Sequence, residues 1–204
     1  MLVPRSLPVA ALLGALAFGG PAAAQNLLDN PDFDAGSLSW QLQNGTRQLV
    51  ADSGSCALSQ AVEGTTALSG TLQVFGLVSE TCVPVDGSAV AELQAGGMYR
   101  TGAETWSRIY LQLFSDAGCL GHLGWSSWVA GGTSAAWTRI SGPIALTSDT
   151  RSVRLHIDNI PMVAGGPQFT VEWDRLYLGA APELLVDGFE TESGSACRWS
   201  TLVD

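Results

Sequence analysis

The chain has 204 residues, with nine Arg, no Lys and nineteen Asp or Glu, for a formal net charge of −10. That balance repels nucleic acid and anionic lipid, which excludes both as partners. Beyond residue 24 no apolar run approaches the roughly 18–20 residues needed to span a bilayer, so no membrane insertion is expected of the mature chain.

Residues 1–24 have the parts of a secretory signal peptide. Arg5 supplies the positive start, Leu7 to Phe18 the apolar centre, and Ala22-Ala23-Ala24 a small-residue cleavage site before Gln25. The expected location is secreted: extracellular, periplasmic or at the cell surface. Cleavage leaves about 180 residues, enough for one domain with a full core, and removing Arg5 brings the net charge to about −11. Gly, Ser and Thr are abundant and charges sparse, the profile of a loop-rich β protein. The all-Arg, Gly/Ala-rich composition reads as bacterial.

From there the chain alternates with period two in short stretches, as half-buried strands do. The predicted strands are 39–43, 47–51, 70–77, 78–85, 89–99, 106–115, 137–145, 152–158 and 169–178. Trp40, Trp137 and Trp173 lie in such stretches and are expected in the core. Asn44-Gly45 reads as a hairpin turn, Asp86-Gly87 and Gly96-Gly97 as turns or bulges, and Gly131-Gly132 and Gly165-Gly166-Pro167 as longer connections. That many strands imply an all-β, two-sheet sandwich over residues 25–179. Past Gly179 the pattern stops, and 180–204 reads as a linker and tail carrying Asp187-Gly188-Phe189-Glu190 and Cys197-Arg198-Trp199-Ser200. Cys56, Cys82, Cys119 and Cys197 form an even set in an exported chain, so two disulfides are expected, with three connectivities open.

The strand at 106–115 carries the most suggestive surface. Ile109, Leu111 and Leu113 point one way; Trp106, Arg108, Tyr110, Gln112 and Phe114 point the other. Aromatic faces stack on sugar C–H patches, while Arg and amide groups bond their hydroxyls. Arg154, His156 and Asp158 alternate with Val153, Leu155 and Ile157 and are candidates to line the same face. The competing reading buries these aromatics on a two-sided strand. Gly124-Trp125-Ser126-Ser127-Trp128 reads as an exposed loop platform, or as a loop with one Trp capping the core. Catalysis has little support: His122 and His156 are the only His, and no Gly-x-Ser-x-Gly elbow, metal-hydrolase spacing, phosphate loop or dinucleotide motif is present.

The order Asn26-Leu27-Leu28, Asn30-Pro31-Asp32-Phe33-Asp34, Gly36 and Trp40 resembles the opening of CenC-like carbohydrate-binding modules (families 4, 9 and 22). Thr81-Cys82-Val83-Pro84-Val85, Leu113 to Cys119, Ala136-Trp137-Thr138-Arg139-Ile140 and Glu172 to Leu178 also resemble parts of this kind of domain. The resemblance spans about residues 26–178 and implies a galactose-binding-like jelly roll that binds a polysaccharide or other glycan without catalysis. It implies a Cys82–Cys119 bridge, leaving Cys56 with Cys197. It also implies a structural calcium held by Asp34 and Asp174. Calcium asks for six to eight oxygens, and the closing strand here has Arg175 where a second Asp is common, so an arginine in place of the cation stays open as the alternative. The expected function is a secreted, lectin-like carbohydrate-binding domain that uses aromatic stacking; the alternative is a structural or adhesion sandwich without a sugar site.

Overall fold

A computed structural model describes residues 25–54 and 60–180. The expected signal peptide, the expected Cys56–Cys197 pairing and residues 181–204 of the expected tail lie outside the described residues. Within them the strands are β1 (Trp40–Asn44), β2 (Thr46–Ala51), β3 (Gln60–Thr65), β4 (Ala67–Ser69), β5 (Leu72–Ser79), β6 (Val83–Pro84), β7 (Glu92–Thr101), β8 (Thr105–Phe114), β9 (His122–Gly131), β10 (Ser134–Ala145), β11 (Ser152–Pro161) and β12 (Thr170–Gly179). They form two antiparallel sheets. One runs β1-β5-β11-β8-β9, with β4 added on β5 and β6 on β11; the other runs β10-β7-β12-β3-β2. Among the described residues no helix is long and apolar enough to cross a membrane. The architecture is the expected all-β jelly-roll sandwich.

Period-two alternation builds the core. Ile109 and Leu111 of β8 and Val153 and Leu155 of β11 are fully buried, and they face Leu93 and Ala95 of β7 and Val171 and Leu178 of β12. One polar chain crosses this apolar layer. The Trp173 indole donates to Asn159 Oδ1 at 2.7 Å, and Asn159 Nδ2 donates to Ser107 Oγ at 2.6 Å. A buried indole N–H thereby keeps its acceptor and the two sheets gain a fixed register.

The opening motif works as a local scaffold. Asn30 Nδ2 donates to the carbonyls of Gly36 and Leu38, its Oδ1 accepts from the Ala35 N–H, and its own carbonyl accepts from the Trp40 indole at 2.9 Å. Phe33 and Trp40 are buried against each other with ring centres 5.5 Å apart. Asn26 ties the preceding residues to β12 through Leu176 O and Leu178 N. Each residue of the Asn-x-x-Phe…Gly…Trp pattern is therefore used for structure.

Several expectations need correction. Asn44-Gly45 closes no hairpin: β1 pairs with β5 while β2 pairs with β3, so the turn carries the chain from one sheet to the other. Gly45 has φ +85°, and a Cβ there would collide with the Thr65 carbonyl. Gly96-Gly97 lies inside β7, where Leu176 approaches to 2.7 Å of a Cβ position on Gly97, and the bulge sits opposite, between Asp174 and Tyr177. Gly131-Gly132 is a short step from β9 into β10 rather than a long connection. The boundary placed at Leu77/Val78 falls within β5. Trp40 and Trp173 are core, but Trp137 is half-exposed, with the Arg100 guanidinium 4.9 Å from its ring centre. Cys82 and Cys119 are joined, tying the start of β6 to the β8–β9 loop.

Candidate functional site

Because β8 alternates and its inner residues are core, its even-numbered residues stand on the outer face of the seven-stranded sheet. Register then fixes what joins them. β11 sets Arg154 beside Gln112, His156 beside Tyr110 and Asp158 beside Arg108. Val78 of β5 lies beyond His156, and Gln41 of β1 beyond Val78. On the other side β9 sets Trp128 beside Tyr110 and Trp125 beside Gln112.

That last pairing requires a bulge. Two steps along β8, from Tyr110 to Gln112, are matched by three along β9, from Trp128 to Trp125. In a regular strand residues three apart point to opposite faces; the extra residue returns both Trp side chains to one face. The Ser126 hydroxyl accepts the Leu111 N–H at 2.8 Å, which satisfies a ladder donor at the bulge. The segment 124–128 is thus an edge strand and not the expected loop, and both Trp are exposed, at 53% and 59%.

Around them is a shallow cavity of about 280 Å³ lined by Arg108, Tyr110, Trp125, Ser126 and Trp128. Trp125 stands edge-on to His156, Tyr110 and His122, with ring centres 4.8, 5.4 and 5.5 Å away. Tyr110 stacks on His156 at 5.3 Å. Arg108 grips Asp158 through Nε and Nη2 at 2.7 and 2.5 Å, and its guanidinium lies 5.3 Å from the Trp128 ring centre. The result is a rigid aromatic surface with polar groups set among the rings.

Burial sets the charge state here. It pushes His156 down to about 4, with the Arg154 cation adding to the effect, so the ring is neutral at neutral pH; its Nε2 lies 3.3 Å from Gln112 Oε1. Burial and the Asp158 carboxylate both raise the Tyr110 phenol, which stays protonated. The Asp158 hydrogen bond raises the Arg108 guanidinium.

Of the residues singled out in the sequence, Arg108, Tyr110, Gln112, Trp125, Trp128, Arg154 and His156 meet on this face. Trp106 stands on the same outer face but away from the Trp125–Trp128 cluster. It pairs with Ile160 near the far end of β8, exposed but outside the cavity. Phe114 is only 4% exposed and packs against His122. Ser126 and His122 are additions that the sequence reading missed; Ser126 becomes visible only once the bulge is known.

The calcium pair does not assemble. Asp34 is exposed, whereas Asp174 is buried, and the carboxylate whose charge reaches it is Asp32. Asp174 already accepts the Ser53 and Arg175 N–H groups at 2.8 and 2.7 Å, and the Arg175 Nε stands 3.9 Å away. Burial pushes its carboxyl up to about 6. Among the described residues no three acidic, His or Cys side chains converge as a metal would need. Asp34 and Asp174 together do not supply the six to eight oxygens that calcium asks for.

No protein-family model matches the sequence, and no curated protein does. Solved structures do resemble the fold. A family 11 carbohydrate-binding module of a Clostridium thermocellum cellulase is 15% identical with a TM-score of 0.51, covering 78% of this chain and 95% of that one. The CBM22-1 xylan-binding domain of Paenibacillus barcinonensis Xyn10C is 12% identical with a TM-score of 0.51, covering 77% and 95%. The active domain of the bacteriophage CBA120 tailspike protein 4 is 11% identical with a TM-score of 0.52, covering 76% of this chain, which spans only 21% of it. An arabinose-bound α-L-arabinofuranosidase is likewise larger, this chain spanning 27% of its length. The chain has the jelly-roll fold of carbohydrate-binding modules.

Proposed function

We propose that the protein is a secreted, non-catalytic carbohydrate-binding protein whose ligand lies across the outer face of the seven-stranded sheet and stacks on Trp125 and Trp128. The observation that carries this reading is the β9 bulge, which turns two exposed Trp to one face beside Tyr110 and His156. Exposed indoles offer sugar C–H stacking, and Gln112 and Ser126 offer hydrogen-bonding groups among them. Neighbours in fold include a module with a bound mixed-linked tetrasaccharide and a xylan-binding domain. The Cys82–Cys119 bridge suits an oxidising compartment. Among the described residues the buried carboxylate at the site is Asp158, and it is held by Arg108 rather than set beside a second carboxylate as glycoside hydrolysis would use.

Retention on insoluble polysaccharides tests this. The wild type should bind at least one class, and Trp125→Ala or Trp128→Ala should weaken binding by roughly tenfold or more with an unchanged melting temperature. A folded wild type retained on nothing would favour the structural or adhesion reading.

A further inference from the structure

Two guanidinium groups stand on the outer face of the seven-stranded sheet, in opposite states. Arg108 gives two donors to both oxygens of Asp158. Among the described residues Arg154 has no such partner. Its guanidinium lies 6.0 Å from the Phe114 ring centre, and its Nε–H is buried without an acceptor. Glu80, the residue after β5, is exposed and makes no ion pair with it among the described residues. A half-buried cation with an unmet donor raises the free energy of the unliganded protein, and an arriving anion relieves it.

The surroundings say what kind of anion. Register sets Arg154, Gln112 and Trp125 side by side on β11, β8 and β9. One row across the sheet therefore offers a cation, an amide and an aromatic ring in sequence. A sugar ring on Trp125 would extend its neighbouring residue toward Arg154, past hydroxyl partners on Gln112 and the neutral His156. A planar carboxylate matches the two-pronged guanidinium, as Asp158 already does on Arg108.

We infer that this face selects an acidic glycan, with Arg154 receiving the carboxylate of a uronic acid residue beside the sugar stacked on Trp125. The inference rests on the carbohydrate-binding reading above. The protein's net charge of −10 opposes an anionic polymer at long range. At physiological salt that repulsion is screened beyond about 8 Å, so the preference comes from the local contact. A single charge-assisted pair at a half-exposed position sets it at about tenfold.

Affinity of the full chain should be measured for glucuronoxylan, polygalacturonate and alginate, each against its own carboxyl-reduced form, and for dextran sulfate against dextran. The expected result is about tenfold tighter binding of at least one acidic polymer than of its reduced form. Arg154→Gln should bring that ratio to about one, Arg154→Lys should leave part of it, and melting temperatures should show both variants folded. Reduced and acidic forms binding equally would overturn the inference, as would a preference that persists in Arg154→Gln. An Arg154-dependent preference for dextran sulfate alone would overturn the uronate assignment. In these cases loss of binding in Trp125→Ala would leave the carbohydrate-binding reading standing. Failure of the folded wild type to bind any polymer, acidic or neutral, would remove both.

Discussion

Burial shifts His156 and Asp174 in opposite directions across nearly the same pH range. His156 is pushed from 6.5 down to about 4 by burial, so the folded state binds the proton less readily than the unfolded chain. Its contribution to stability is complete above 6.5 and is lost as pH falls toward 4. Asp174 is pushed from 3.8 up to about 6, again by burial, so its contribution is complete below 3.8 and is lost as pH rises through 6. Each pKa unit corresponds to about 1.4 kcal/mol, and the two effects largely cancel in the wild type. Urea unfolding from pH 4 to 7 should separate them. Relative to the wild type, His156→Gln should gain stability as the pH falls, and Asp174→Asn should gain as it rises. Equal pH dependence in both variants would refute the assignment. Single residues also show what a sequence hides. Asp34 sits in the motif and Asp32 looks incidental, yet Asp32 is buried and acts on Asp174, because the turn around Phe33 (φ +56°) decides which side chain goes inward.

At the scale of elements, β8 and β11 were readable because strict alternation with branched apolar residues leaves one face assignment that buries them all. β9 was not. Its Trp residues are an odd number of positions apart, which in a regular strand sends them to opposite faces, and its Gly and Ser residues suggest a loop. The bulge depends on pairing with β8, a long-range fact that local pattern does not carry. β3 was missed for a related reason: Gln60–Thr65 offers only Ala61 and Val62 as buried apolar side chains and takes its strand geometry from β2 and β12. The opening motif was legible as fold and uninformative as function, since Asn30, Phe33 and Trp40 all serve the scaffold. The bulge has its own test. Deleting Ser127 leaves the two Trp two positions apart and should restore regular pairing with both on one face, whereas deleting Ser126 and Ser127 together makes them adjacent and should send them to opposite faces. Binding should persist in the single deletion and fall at least as far as in Trp125→Ala in the double one, with the β-sheet circular dichroism kept in both. Equal binding by the two would show that the shared face of the Trp pair does not set the site.

For the whole molecule, the sandwich is held by its own packing and by Cys82–Cys119, and the cradle around Asp174 is filled by N–H donors and a guanidinium. The melting temperature should therefore be the same in excess calcium and in a chelator; a rise of several degrees with calcium would contradict this account of Asp174. The central claim, that a glycan lies across the outer face of the seven-stranded sheet, is tested most directly by following the indole N–H resonances while soluble neutral and acidic oligosaccharides are added. Trp125 and Trp128 should shift on binding, while Trp40 and Trp173, buried and bonded to Asn30 O and Asn159 Oδ1 at 2.9 and 2.7 Å, should stay in place. Binding that moves Trp137, on the other sheet, and leaves Trp125 and Trp128 unshifted would place the site elsewhere and contradict the claim.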